Sequence, residues 1–135
     1  MNILCDFEYH APKTKAEALN LVADLGEKAK ILAGGTDLII QLKENMIQTE
    51  NIIDMKNVDE LKGIKCEAGK GAEIGAMTTI EAIEFSKELQ EKYPALSYAA
   101  AAIGSNQVRV MGTIGGNCCN ASPCADTVSP LCAFG

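Results

Sequence analysis

Tryptophan is absent from this chain, and aromatic residues make up only 4% of it. A core without large rings must be assembled from Ile, Leu, Val, Ala and Met. Positive charge is in deficit, with 12 Lys and Arg against 18 Asp and Glu, a net charge of −6. An acidic surface of this kind repels phosphate backbones, which excludes nucleic acid as an expected partner. Lys62, Lys65 and Lys70 are scattered through polar sequence and read as a solvated face. Long apolar runs are also missing. The stretch 95–104 is too short to cross a bilayer, and Met1–His10, with Asp6 and Glu8, lacks the apolar segment of a signal peptide. No membrane partner and a cytoplasmic location are therefore expected. The single histidine, His10, reads as a surface residue. No internal repeat or low-complexity linker interrupts the 135 residues, a length that suits one domain or two small lobes with a real core.

What is present is ordered punctuation. Thr14 and Glu17 form a capping box, and Ala18, Leu21, Val22 and Leu25 supply a helical stripe that Gly26 stops. Ile31-Leu32-Ala33 reads as a buried strand, Leu38–Met46 as a second helix, and Asn51–Met55 as another strand. Residues 1–57 thus read as a βαβαβ lobe. The pattern changes near Val58. Ile64, Cys66 and Ala68 alternate with polar residues, Gly69-Lys70-Gly71 turns, and Ala72–Ala76 runs back as a hairpin. Thr78 and Glu81 suggest a second capping box ahead of a helix carrying Ile80, Ile83 and Leu89, which Tyr93-Pro94 breaks. Ala95–Ile103 reads as a small-residue helix closed by Gly104. The Gly-, Asn- and Ser-rich sequence from Ser105 onward reads mostly as loop, with a further helix in Asp126–Phe134. Residues 58–135 form the expected second lobe.

Two glycine-rich segments carry candidate chemistry. In Leu32-Ala33-Gly34-Gly35-Thr36-Asp37, two glycines after a strand allow a sharp turn that exposes backbone N–H groups, and the following helix start adds positive potential. That suits a phosphate or pyrophosphate. Taken alone, a tight turn with Thr36 or Asp37 as a plain N-cap reads equally well. The segment is neither a Walker loop nor a G-x-G-x-x-G fingerprint. Thr113-Ile114-Gly115-Gly116-Asn117 is the second cradle, followed by Ser122 and by Asp126, a carboxylate suited to a ribose hydroxyl. The plain alternative is a surface loop with Asp126 capping the last helix. Two cradles in one short chain favour a dinucleotide over a single phosphate.

In order and spacing, Ile31–Leu38, then Ile103-Gly104-Ser105-Asn106-Gln107-Val108-Arg109, Thr113–Asn117 and Ala121–Asp126 resemble the FAD motifs of molybdenum hydroxylase flavin subunits, the family of the xanthine dehydrogenase and carbon monoxide dehydrogenase medium subunits. Ile53-Asp54 and Ile74–Thr79 sit where that family has similar segments, whereas Val110 stands where its members often have Asn. The resemblance implies an α+β, two-lobed FAD-binding fold of the vanillyl-alcohol oxidase and cell-wall reductase type. FAD would lie between the lobes, its pyrophosphate held by Leu32–Asp37 and Thr113–Asn117, with Ser122 and Asp126 near the adenosine. Family members continue well past the position of Gly135, so the second lobe is expected to be incomplete.

It also implies an FAD-binding electron-transfer subunit in a hetero-oligomer. Electrons would come from [2Fe–2S] clusters on an iron–sulfur subunit, fed by a molybdenum-cofactor subunit, and pass through FAD to an acceptor such as NAD. The alternatives are a truncated, non-catalytic FAD-binding or interaction fragment and a stand-alone flavin oxidase. No residue reads as a nucleophile, general base or triad member, which suits a module whose cofactor carries the chemistry. Cys118, Cys119, Cys124 and Cys132 have a C-C-x4-C-x7-C spacing that matches neither common ferredoxin pattern. They read as thiols rather than metal ligands, as do Cys5 and Cys66, and no metal site is expected.

Overall fold

The computed structural model describes residues 6–122 and 125–135; Cys5, Pro123 and Cys124 lie outside them. The chain divides into two compact units, one ending at Leu61 and the other spanning Lys62–Gly135.

The first unit runs β1 (Glu8–His10), α1 (Lys15–Leu25), β2 (Ala29–Leu32), α2 (Leu38–Lys43) and β3 (Asn51–Asp54), the expected βαβαβ order. The three strands are all parallel, in the spatial order β1-β3-β2. Local chemistry starts α1. The Thr14 hydroxyl accepts from the Glu17 N–H at 3.2 Å, and the Glu17 carboxylate accepts from the Thr14 N–H at 3.3 Å. Gly26 ends the helix at φ +51°, a conformation that costs glycine little. The second helix stops at Lys43, short of Met46, because the chain turns through Asn45 at φ +55°.

β3 is central and buried at all four positions. Ile52 packs with Leu32 and Leu42, and Phe7, Leu38, Ile39 and Ile47 lie against them. Ile53 points to the opposite face by strand alternation, the face left to α1, which contacts β3. Each fully buried Ile or Leu contributes about 1.5–3 kcal/mol. Val58, where the sequence pattern changes, is fully buried between two 3₁₀ turns, Met55–Asn57 and Asp59–Leu61.

The second unit opens with the antiparallel hairpin β4 (Ile64–Glu67) and β5 (Gly71–Ile74). Among the described residues six helices follow: α3 (Ile80–Glu84), α4 (Lys87–Lys92), α5 (Pro94–Ala102), α6 (Asn106–Met111), α7 (Ile114–Cys119) and α8 (Val128–Phe134). Ile80, Ile83, Leu89, Leu96, Ala100, Ile103 and Ile114 form its core. Among the described residues the buried apolar side chains are all Ala, Val, Leu, Ile or Met, as the shortage of aromatics required.

Three expectations are corrected by the fold. The helix-capping residue is Thr79, whose hydroxyl accepts from the Ala82 N–H at 3.2 Å, and not Thr78. Thr78 is buried and exchanges hydrogen bonds with the Gly63 backbone at 3.0 Å. The helix expected up to Tyr93 is two helices, because the Ser86 hydroxyl accepts from the Leu89 N–H and restarts the chain as α4. The region after Ser105 is helical rather than loop. Ser105 and Thr113 each act as an N-cap, accepting from the N–H groups of Val108 and Gly116. A bridge between Thr79 and Thr113 holds the start of α7 against that of α3.

Candidate functional site

Leu32–Asp37 leave the carboxyl end of the first unit's sheet. Leu32 pairs in register with Asp54 of the central strand. The chain then turns at Gly35, φ +82°, where a Cβ would lie 3.0 Å from Leu32 Cδ1 and 3.3 Å from Ile39 Cγ1. Ile39 N–H donates to the Gly35 carbonyl at 3.2 Å, which fixes the loop to the first turn of α2. Asp37 occupies the N-cap position without a side-chain cap bond, so the plain N-cap reading does not describe this helix start. Among the described residues, the backbone N–H groups of Gly34, Gly35, Thr36 and Asp37 donate to no backbone or side-chain acceptor. A parallel sheet that ends in a glycine loop with undonated N–H groups is the layout of a phosphate-binding unit.

Beside this loop, Asp54 is buried at 4% exposure. Its carboxylate accepts from the Tyr9 hydroxyl at 2.5 Å and from the Lys56 N–H at 2.9 Å, and Lys56 Nζ lies 3.8 Å away. These contacts neutralise a charge that would otherwise be costly to bury. The Asp54 hydrogen bond, acting first, and desolvation raise the Tyr9 phenol above its ordinary pKa. Tyr9 was not a sequence candidate. It is 45 residues from its partner, and nothing local signals the pair.

Thr113–Asn117 lie in the second unit, and the N–H groups from Ile114 to Asn117 are already engaged. Ile114 N–H donates to Thr78 O at 3.0 Å, Gly115 N–H to Ala76 O at 2.8 Å, and Asn117 N–H to Thr113 O at 2.9 Å. Gly116 N–H donates to the Thr113 hydroxyl at 3.1 Å. From Ile114 onward the expected backbone cradle is therefore closed by the fold's own acceptors. Gly115 is glycine for a packing reason: a Cβ there would sit 2.7 Å from Ala76 O and 2.8 Å from Ala76 Cβ. The Asn117 side chain remains. Its Oδ1 accepts from the Thr127 hydroxyl at 2.5 Å.

Ser122 and Asp126 are exposed and flank the turn into α8, where Ala125 N–H donates to Ser122 O at 3.0 Å. The N-cap position of α8 is Thr127, not Asp126. Arg109, from the segment before the second cradle, works as a staple. Its Nε donates to Glu84 Oε2 at 2.7 Å and its guanidinium also donates to Ile103 O at 3.1 Å, both side chains being 16% exposed.

Cys66, Cys118, Cys119 and Cys132 are free thiols. Among the described residues no group of three or more His, Cys, Asp or Glu is placed to hold a metal, and no helix is long and apolar enough to cross a membrane. An apolar hollow of about 340 Å³ opens between β5, α7 and α8, with Ile74, Ile114, Cys118 and Leu131 in its wall.

Residues 5–135 match the family described as the FAD binding domain in molybdopterin dehydrogenase. The carbon monoxide dehydrogenase medium chain of Afipia carboxidovorans is 42% identical over 117 residues, covering 87% of this chain and 40% of that protein. The xanthine dehydrogenase FAD-binding subunit of Escherichia coli O157:H7 is 40% identical over 126 residues, 93% of this chain and 43% of the relative. The structure of reconstituted CO dehydrogenase from Oligotropha carboxidovorans superposes with a TM-score of 0.89 at 40% identity, over 93% of this chain and 44% of that one. The chain belongs to this family of molybdenum hydroxylase FAD-binding domains, with their mixed α+β fold, and spans less than half the length of these relatives.

Proposed function

We propose that this chain is the FAD-binding, electron-transfer part of a cytoplasmic molybdenum hydroxylase, built on the two-lobed plan of the vanillyl-alcohol oxidase and cell-wall reductase type. Bound FAD accepts electrons singly and delivers them in pairs, so the chain's own task is to bind and orient it. One observation carries the reading: the undonated N–H groups of Gly34–Asp37 at the carboxyl end of a parallel sheet, in a chain whose family is defined by FAD binding. Those groups hold the pyrophosphate, helped by the Thr36 hydroxyl. Gly35 supplies the positive φ of the turn, where a Cβ would press on Leu32 and Ile39. In the second unit, Thr113–Asn117 contribute through side chains, because their backbone donors from Ile114 to Asn117 are engaged. Ser122 and Asp126 serve the adenosine end.

Partners of this chain are an iron–sulfur subunit and a molybdenum-cofactor subunit, with NAD as an acceptor. The names of its relatives support an assembly with other subunits. The test of the ligand is titration of apo-protein with FAD and with FMN, followed by flavin fluorescence. FAD, with its pyrophosphate, binds at least about tenfold more tightly; equal affinities refute the pyrophosphate reading. Affinity purification with mass spectrometry tests the assembly, and an FAD-loaded monomer that turns over a substrate unaided refutes it in favour of a stand-alone oxidase.

A further inference from the structure

We propose that Thr127 is a positioning residue that locks the Asn117 amide with its oxygen inward and its NH₂ outward, presenting Nδ2 as the donor that meets an acceptor oxygen of the bound nucleotide. The inference rests on the FAD reading above and concerns a residue that the glycine motifs do not include.

Thr127 occupies the N-cap position of α8 and is fully buried, yet its side chain does not cap the helix. A threonine hydroxyl at that position ordinarily accepts an N–H from the first turn. Here it donates instead to Asn117 Oδ1, at 2.5 Å, across ten residues. That bond holds the amide oxygen inward against the buried Thr127 and turns the amide NH₂ to the other side.

The outward end is left free. Among the described residues Nδ2 has no protein partner, and no buried polar side-chain atom lacks one, so Nδ2 is open to solvent. With the N–H groups of Ile114–Asn117 engaged within the unit, this amide is a side-chain donor that the second glycine segment still has for a phosphate or ribose oxygen.

The experiment measures FAD affinity by fluorescence titration and ligand-free melting by circular dichroism on the full chain. Thr127→Val weakens FAD binding by about tenfold, the scale of one lost hydrogen bond. Thr127→Ser, which keeps the hydroxyl, stays within about threefold of wild type. Asn117→Asp keeps an oxygen for Thr127 but replaces the outward NH₂ with a carboxylate oxygen. It melts as wild type does and loses at least about tenfold in affinity. In an Asn117→Ala background, Thr127→Val has no further effect on affinity.

If wild type binds no FAD, the FAD reading falls and this proposal with it. If wild type binds but Asn117→Asp binds equally well, Nδ2 does not face the ligand and only this proposal is overturned. It is overturned as well if Thr127→Ser loses as much as Thr127→Val, which marks a packing role, or if Thr127→Val still weakens binding in the Asn117→Ala background. If Thr127→Val does not fold, Asn117→Asp and Thr127→Ser decide.

Discussion

Replacing Gly115 with alanine tests whether this glycine serves the ligand or the fold. The added Cβ would sit 2.7 Å from the Ala76 carbonyl oxygen and 2.8 Å from its Cβ, closer than such atoms approach. The obstacle is backbone, so no rotamer relieves it. The start of α7 must move away from the segment after β5, which also breaks the 2.8 Å bond from Gly115 N–H to Ala76 O. Overpacking costs about 1–3 kcal/mol and the lost hydrogen bond about 1 kcal/mol, roughly 2–4 kcal/mol together. With a urea dependence of about 2 kcal/mol per molar, the midpoint of unfolding falls by about 1–2 M. Far-UV circular dichroism in a urea series reads this directly. Gly69→Ala is the control: unlike Gly115 it lies at positive φ, +78°, but nothing stands within 4 Å of its added Cβ, so only conformational strain of about 1 kcal/mol remains. A Gly115→Ala midpoint within about 0.3 M of wild type, with unchanged slope, refutes the packing account and returns Gly115 to the ligand.

Glu84→Gln removes the carboxylate that pairs with Arg109 at 2.7 Å while both side chains are largely buried. The orphaned guanidinium costs about 1–3 kcal/mol, less than a fully buried pair because some solvent reaches it, and an unchanged urea midpoint shows that the staple carries no stability. Gly35→Val abolishes FAD binding, since a branched side chain is strained at φ +82° and meets Leu32 and Ile39; a folded variant that binds FAD normally reduces the Gly34–Asp37 loop to a turn. Cys118 is held above its ordinary thiol pKa, first by burial and then by Cys119 and Cys132, with the Thr127 hydrogen bond opposing. At pH 8, iodoacetamide therefore labels the exposed Cys119 and Cys132 before Cys118, as peptide mass spectrometry reads. Because the folded value is the higher one, this stabilisation is complete below the unfolded thiol pKa and fades as pH rises through the folded value. The melting temperature accordingly drops above pH 9, the ordinary value, and Cys118→Ala removes that part of the drop; a drop of equal size in the variant refutes it.

Sequence alone determined the features whose causes lie within a few residues of one another. Thr14 and Glu17 face each other across one helical turn, Gly26 stops that helix by its own backbone freedom, and the alternation of Ile64 with Cys66 around Gly69-Lys70-Gly71 folds back as a hairpin. The βαβαβ lobe and the glycine turn at Gly35 follow from the same short-range rules. The glycine-rich stretch after Ser105 misled because its composition suits loops, while its helices depend on caps at Ser105 and Thr113 and on a bridge to Thr79, 34 residues away by the numbering. The strand order β1-β3-β2, the Tyr9–Asp54 pair, the closing of the second cradle by Ala76 and Thr78, and the grip of Thr127 on Asn117 belong to the tertiary structure. Each joins groups that local periodicity does not relate, and burial then forces every polar group among them to find a partner. That requirement, and not the glycine pattern, decided which donors of the two cradles were left over for a ligand.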